Sequence, residues 1–463
     1  MEQKKNLAFN AYRRKKMKIK KLTALAMTTA MCAATIFGCG GSGANNETTT
    51  AGNAGTEAGT QAGSEEGSTA AKDEEAVSAT IKVWCPAEDQ VTQDEEGKAI
   101  EGSTGWIQKM CDQFNAAHPN WNLTFTYETC SEGDAGKMVP QDVEAAGDIY
   151  FFANDQLTTL IGAGAIAEIG GDALNYVKET NSEKMLTTVT NNDSVYGFPF
   201  TSNTWFMYYN KSIFSEDDVK SLDTMLTKAK VAFPIANSWY FQAFYAAAGG
   251  VFCGPIGNDE AAGIVLGDNG TAVTKYLVNL AKNPNFVKDD QGSGIAGLQD
   301  GSIGAIFSGS WDYKSVKAAL GDNIGICQLP TINIDGEACT LKAFAGSKAI
   351  GVNPESKVPQ KVLVSLAQYL ASEEAQLAHY EMRNIVPCNT KLLESDAIKN
   401  DALAQAQANT VDNTSIIQPA NTTFNNNWWG NATTMADAIM TGVVTEANAA
   451  EKTAEFEDSI NGR

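Results

Sequence analysis

Two histidines, His118 and His379, are all that the 463 residues contain. A histidine-rich metal centre is excluded, and the H-E-x-x-H zinc motif is absent. A Ser-His-Asp triad would have to use one of these two, and both fall in helical patterns that read as surface positions. No G-x-S-x-G elbow and no Walker loop occur. Basic residues are scarce: 34 Lys and Arg stand against 55 Asp and Glu, a formal charge of −21. Such a field repels nucleic acid and anionic lipid, so nucleic acid is not an expected partner. Paired carboxylates cannot be read as an active site in so acidic a chain.

Cysteine pairs at metal or redox spacing are also missing. The chain has nine cysteines and no C-x-x-C. Two lie near the start, Cys32 and Cys39. The other seven are Cys85, Cys111, Cys130, Cys253, Cys327, Cys339 and Cys388. An odd number leaves at least one unpaired within the chain, and we read most as small buried hydrophobes. Cys327 and Cys339 are the pair close enough in sequence to suggest a bridge. One motif imitates a cofactor loop: Gly292-Ser-Gly294-Ile-Ala-Gly297 fits G-x-G-x-x-G. A dinucleotide fingerprint must follow a buried strand directly, whereas Lys288-Asp-Asp-Gln291 precedes this one as a polar loop. No cofactor is expected.

The N-terminus carries Arg13-Arg14-Lys15-Lys16-Met17-Lys18-Ile19-Lys20-Lys21, then a mostly apolar run from Leu22 to Gly38. That order is the n-region and h-region of an export signal, and Met17 could serve as its start. The run has 17 residues and four threonines, short of the ~20 apolar residues of a transmembrane helix. Ile36-Phe37-Gly38-Cys39 resembles the lipobox of bacterial lipoproteins. The resemblance implies cleavage before Cys39, acylation of its sulfur and an anchor in the outer face of the cytoplasmic membrane. Residues 40–79 are mostly Gly, Ala, Ser, Thr and Glu. They cannot bury enough apolar surface to offset the entropy of ordering, so a flexible tether of roughly 35 Å end to end is expected.

The remaining residues, 80–463, exceed one ordinary core, and two lobes are expected. Thr80-Ile-Lys-Val-Trp-Cys85 alternates as a strand. Ile107, Met110, Cys111 and Phe114 share a helical face that Ser103 or Thr104 could cap, and Leu123-Thr-Phe-Thr-Tyr127 alternates again. This is a β-α-β crossover opening a parallel sheet. Ile149–Ala153 reads as a buried strand, with strands also at 205–209 and 303–307. Helices are expected at 157–165, 221–230, 239–248, 272–282, 312–320, 362–380 and 428–440. The class is α/β.

Aromatic residues recur beside amides, acids and turn residues at the strand–helix junctions, where α/β sheets bind ligands. Examples are Phe151-Phe152-Ala-Asn154-Asp155, Asn203-Thr204-Trp205, Ser238-Trp239-Tyr240, Ser308-Gly-Ser-Trp311-Asp312 and Asn425-Asn-Asn-Trp428-Trp429. Rings cover the C–H face of a sugar while polar groups bond its hydroxyls. Each ring taken alone could equally be core packing. Together they suggest a carbohydrate cleft.

Several stretches resemble the extracellular solute-binding proteins of ABC importers, of the maltose/maltodextrin type. They are Asp148-Ile-Tyr-Phe-Phe-Ala-Asn-Asp155-Gln, Ala163-Gly-Ala-Ile-Ala-Glu-Ile169, Val195-Tyr-Gly-Phe-Pro-Phe-Thr, Tyr208-Tyr-Asn-Lys211, Gly301 through Trp311, and Cys327-Gln-Leu-Pro330. The resemblance implies a hinged two-lobed type II binding-protein fold with a cleft between the lobes. Lobe 1 would comprise 80–201 and 330–391, and lobe 2 would comprise 202–329 and 392–463, with crossings near Thr201, Leu329 and Leu392. It implies an oligosaccharide ligand, maltodextrin foremost, delivered by a monomer to a membrane permease without catalysis. Phe152, Asp155, Tyr240, Trp311 and Trp429 match the family's ligand positions. Glu88 and Asp89 fall where its first strand delivers polar contacts. Asn203 stands near a family glutamate, Gln156 replaces an arginine, and Trp205 is the adjoining candidate ring. A receptor for another oligosaccharide, an anchored glycoside hydrolase and a structural surface lipoprotein are the alternatives.

Overall fold

The computed structural model describes residues 75–90, 105–290 and 292–463. The export signal at 1–38, Cys39, the 40–79 tether up to residue 74 and the Ser103/Thr104 cap lie outside them. In chain order the elements that place the site are as follows. First come β1 (Val77–Cys85), α1 (Trp106–Ala117), β2 (Trp121–Thr129), β3 (Ile149–Ala153), β4 (Phe198–Asn203) and β5 (Phe206–Asn210). Then come β6 (Val231–Phe233), α2 (Ser238–Ala247), β7 (Phe286–Lys288), α3 (Ser293–Asp300), β8 (Ala305–Ser308), α4 (Tyr313–Leu320) and β9 (Ile324–Cys327). Last are β10 (Thr331–Ile334), β11 (Glu337–Thr340), β12 (Ala343–Val352), α5 (Glu373–Arg383), α6 (Ala402–Asn413), β13 (Ser415–Ile417) and α7 (Thr422–Met440).

The opening crossover forms as the pattern dictates. β1 and β2 pair in parallel from Val77↔Trp121 to Cys85↔Thr129. α1 buries Trp106, Ile107, Met110, Cys111 and Phe114 against them. β3 is buried at every residue, as a strand covered on both faces must be. The first sheet runs β13-β12-β3-β1-β2, with β4 pairing along β12. The second sheet runs β7-β6-β8-β5-β9. β6 is parallel to β7 and β8, while β5 is antiparallel to β8 and β9.

Separate apolar clusters line the two sheets. Ile81, Phe151, Phe152 and Leu363 belong to the first, and Trp205, Phe233, Phe307 and Trp428 to the second. β12 touches both clusters, with Ala343 and Phe344 in the second and Ala349 and Ile350 in the first. Thr201 Oγ1 donates to Val386 O at 2.6 Å, and Thr204 Oγ1 donates to Phe344 O at 2.9 Å. Past Leu329, Ile332 and Ile334 of the β10–β11 hairpin and Leu341 just after it still pack with the second cluster.

The helix expected over 221–230 stops at Leu226, so that buried Val231–Phe233 can enter the sheet as β6. The seven described cysteines are free, Cys327 and Cys339 included. The G-x-G-x-x-G segment is a packing device. A Cβ on Gly297 would stand 2.5 Å from Ile303, and one on Gly294 2.9 Å from Ile306. Among the described residues, no helix is long and apolar enough to cross a membrane.

Candidate ligand cleft

The carboxyl ends of β6 and β8 open into a cavity of ≈ 490 Å³. The turn after β6 brings Pro234, Asn237, Ser238 and Tyr240 to it. The loop after β7 brings Asp289 and Asp290, and β8 with its turn brings Ile306, Ser308, Trp311 and Asp312. Asn237 caps α2, its Oδ1 accepting from Trp239 N at 3.0 Å. The turn after β8 is held on both sides. Ser308 Oγ donates to Asp312 Oδ2 at 2.5 Å, and Tyr208 Oη donates to Gly309 O at 2.8 Å. Trp311 is thereby presented 41% exposed, with its ring over Gly309. Trp239 lies beside it, ring centroids 5.9 Å apart and tilted by 40°.

Tyr240 forms the floor, its ring 4.7 Å from that of Trp205. Burial, reinforced by the nearby Asp312 carboxylate, pushes the Tyr240 hydroxyl well above its ordinary pKa. It therefore stays protonated and can donate. Asp289 is partly committed, since its Oδ1 accepts from Gly294 N at 2.8 Å and from Ser293 Oγ at 2.9 Å. In the other lobe Asp155 is half-buried at the end of β3. Gln156 Nε2 donates to its Oδ2 at 2.8 Å, and Asn425 of α7 donates to its carbonyl at 2.7 Å. Burial raises the Asp155 pKa, and the Gln156 hydrogen bond opposes that.

Of the residues expected at the site, the cavity unites Tyr240 and Trp311. Asn203 is half-buried at the end of β4 opposite Gly346, and Glu88 is exposed after β1. Trp429 is half-buried, edge-on to Phe424 at 5.2 Å. Three expectations need correction. Phe152 is 0% exposed and packs against Gly197 inside lobe 1. Trp205 is 0% exposed and backs Tyr240 instead of meeting solvent. Asp89 is sealed in an ion pair with His379 and Arg383. His379 is likewise no surface residue: it is buried and stacked on Trp106 at 4.2 Å.

Asp289, Asp312 and Asn237 also line the cavity without having been expected to hold ligand, and Trp239, part of the Ser238–Tyr240 motif, lies beside Trp311. Asp312 had a signal in its place directly after Trp311 at the same junction. Trp239 had none that separated it from Tyr240. Neither histidine lines the cavity. A second cavity, ≈ 780 Å³, is lined by Thr188, Asn192, Asn258, Glu260 and Gln418 among others and has no aromatic wall. It offers nothing to cover a sugar face. The first cavity pairs flat rings with carboxylates and hydroxyls that accept hydrogen bonds, which is the equipment for holding a polyhydroxylated solute.

Two hinged α/β sheets with such a cavity at strand carboxyl ends define a solute receptor. The sequence model of the bacterial extracellular solute-binding protein family matches residues 109–406, and the chain belongs to that family. It is 27% identical over 289 residues to a maltooligosaccharide ABC transporter solute-binding lipoprotein of Streptococcus pneumoniae serotype 4 (strain ATCC BAA-334 / TIGR4), covering 58% of this chain and 66% of that protein. It is 26% identical over 284 residues to the maltodextrin-binding protein MdxE of Bacillus subtilis (strain 168), covering 55% and 64%. The alignments thus span just under two thirds of these curated relatives.

A solved structure described as being with acarbose is 50% identical, covers 83% of this chain and 99% of its own, and has a TM-score of 0.76. The ligand-free maltodextrin-binding protein MalE1 from L. casei BL23 superposes with a TM-score of 0.74 at 24% identity, over 83% and 99%. That likeness confirms the two-lobed fold.

Proposed function

We propose that the protein captures a maltodextrin-type oligosaccharide between its lobes and hands it, unaltered, to an ABC permease. The observation that carries this reading is Trp311. It is a large ring left 41% exposed over a cavity whose other walls include Asp289, Asp312 and Ser308. Trp311, Trp239 and Tyr240 cover sugar faces. Asp312 and Asp289 accept from hydroxyls. Trp429 of α7 joins them from the second cluster, and Asp155, with Glu88 and Asn203, meets the same ligand from the other side of the cleft once the lobes close. The names of the relatives support the sugar class.

The chain works as a monomer, with Cys39 acylated and the segment from residue 40 up to β1, which begins at Val77, as tether outside the cell. Closure follows from ligand touching both lobes, which favours the closed state by its differential affinity.

Calorimetric titration with maltose through maltoheptaose tests the reading, alongside non-glucan oligosaccharides. Micromolar binding of the maltooligosaccharides, with the sugars recovered at full length, is the expected result. No binding by any of them would sink the ligand class, and shortened products would favour a hydrolase.

A further inference from the structure

Trp239 is tied to the hinge twice. Its ring Nε1 donates to Gln418 Oε1 at 2.7 Å. Its carbonyl is reached by the buried Gln242 amide at 2.8 Å, whose oxygen accepts from Phe344 N at 2.9 Å in the orientation that satisfies both groups. Gln418 is itself fixed by its backbone. Its N–H donates to Ala345 O at 2.9 Å, and its carbonyl accepts from Asn154 Nδ2 at 3.2 Å. Asn154 Oδ1 accepts from Ser347 N at 3.2 Å. A Cβ on Gly346 would stand 2.2 Å from that same oxygen, so the strand leaves room there for Asn154. Residues 344–347 of β12, the strand that runs from one core to the other, are thus gripped through consecutive positions.

We propose that Gln418 is a positioning residue for ligand capture. It sets the plane of the Trp239 ring and ties that plane to the hinge strand β12 and, through Asn154, to the lobe that carries Asp155. A ring with a free N–H could rotate about its side-chain bonds beside Trp311. Held by Gln418, it keeps its place 5.9 Å from the Trp311 ring, and its ordering is complete before ligand arrives. When the lobes turn about β12, the acceptor turns with the strand, so the ring is re-aimed as the cleft closes. Ligand affinity and hinge position are coupled through one hydrogen bond.

The binding arm of this inference rests on the proposed sugar reading, so a ligand-free arm accompanies it. Wild type, Trp239→Phe, Gln418→Leu and the double variant are titrated with maltotriose. Gln418→Leu is expected to weaken binding roughly threefold to tenfold, the range one neutral hydrogen bond supports. It should have no further effect on the Trp239→Phe background, and Gln418→Glu, which keeps an acceptor, should bind near wild type. An equal loss on both backgrounds, no loss at all, or a Gln418→Glu variant as weak as Gln418→Leu overturns the proposal. Without ligand, the Trp239 emission, taken as wild type minus Trp239→Phe, should shift in Gln418→Leu. An unshifted band overturns the proposal even if maltotriose proves to be no ligand. Should Gln418→Leu not fold, Gln418→Asn replaces it, withdrawing the amide by one methylene.

Discussion

Asp89 and His379 are 290 residues apart in the chain and 2.8 Å apart in space. Arg383 Nη1 meets the same oxygen, Asp89 Oδ1, at 2.6 Å. The triad ties the end of β1 to α5, with Trp106 stacked beneath the imidazole. Family likeness put Asp89 at the ligand; the packing makes it a strut inside lobe 1.

The first prediction follows from that strut. Burial alone would raise the Asp89 pKa, but His379 and Arg383 outweigh it and lower it to about 2. A depressed carboxylate contributes stability that is fully present above its unfolded pKa of ~3.9 and is lost as pH falls through about 2. Asp89→Asn should therefore be less stable than wild type at pH 6, and the gap should close between about pH 4 and pH 2. Removing one partner of a buried pair costs about 3–5 kcal/mol, so Asp89→Ala should unfold at markedly lower urea. Its maltotriose affinity at pH 7, measured on folded protein, should change little.

Trp311 makes the opposite prediction. Its ring is exposed, so Trp311→Ala should leave the urea midpoint nearly unchanged. Affinity for maltotriose should drop roughly tenfold or more with the loss of a stacking face. An unchanged affinity by calorimetry would remove Trp311 from the site.

Phe152 separates core from cleft in the same way. It is fully buried beside Gly197 and Tyr150. Phe152→Ala should cost about 3–5 kcal/mol in urea unfolding, as large core truncations do. The dissociation constant of the folded protein should move by less than about threefold. A large affinity loss at intact stability would mean the ring turns outward when ligand binds.

The contrast between Phe152 and Trp311 shows what the sequence could and could not tell. Elements with local causes were legible: the β1-α1-β2 crossover from its two periods, and β3 from five apolar residues in a row. So was the junction at 308–312, where turn residues interrupt an apolar run. Burial of one aromatic rather than its neighbour was not legible, because it depends on which side of a strand faces the other lobe. Phe152 and Trp205 sit in junction motifs as good as that of Trp311, yet both point into cores. Trp239 and Tyr240 are consecutive, and only the roll of α2 decides which ring meets Trp311. The packing of Ile332 and Ile334 with the second cluster was not legible either, because the β10–β11 hairpin carries no local mark of the core it joins. The His379–Asp89 pair spans most of the chain, and no short-range pattern announces it.

Gly309 gives the sharpest test of how Trp311 is aimed. A Cβ built there would stand 2.1 Å from Cζ3 and 2.2 Å from Cη2 of Trp311. The backbone itself, at φ −103° and ψ −169°, is extended and accepts alanine without strain. All the conflict therefore falls on the ring, which borders solvent and can swing aside. Gly309→Ala should leave stability unchanged or raise it by up to about 1 kcal/mol, through the smaller entropy of the unfolded chain. Maltotriose affinity should nevertheless fall roughly fivefold to tenfold, because the ring leaves its stacking position. In the double variant with Trp311→Ala, the glycine substitution should add nothing further. If Gly309→Ala alone binds as wild type, the ring position over Gly309 is not the one that meets ligand.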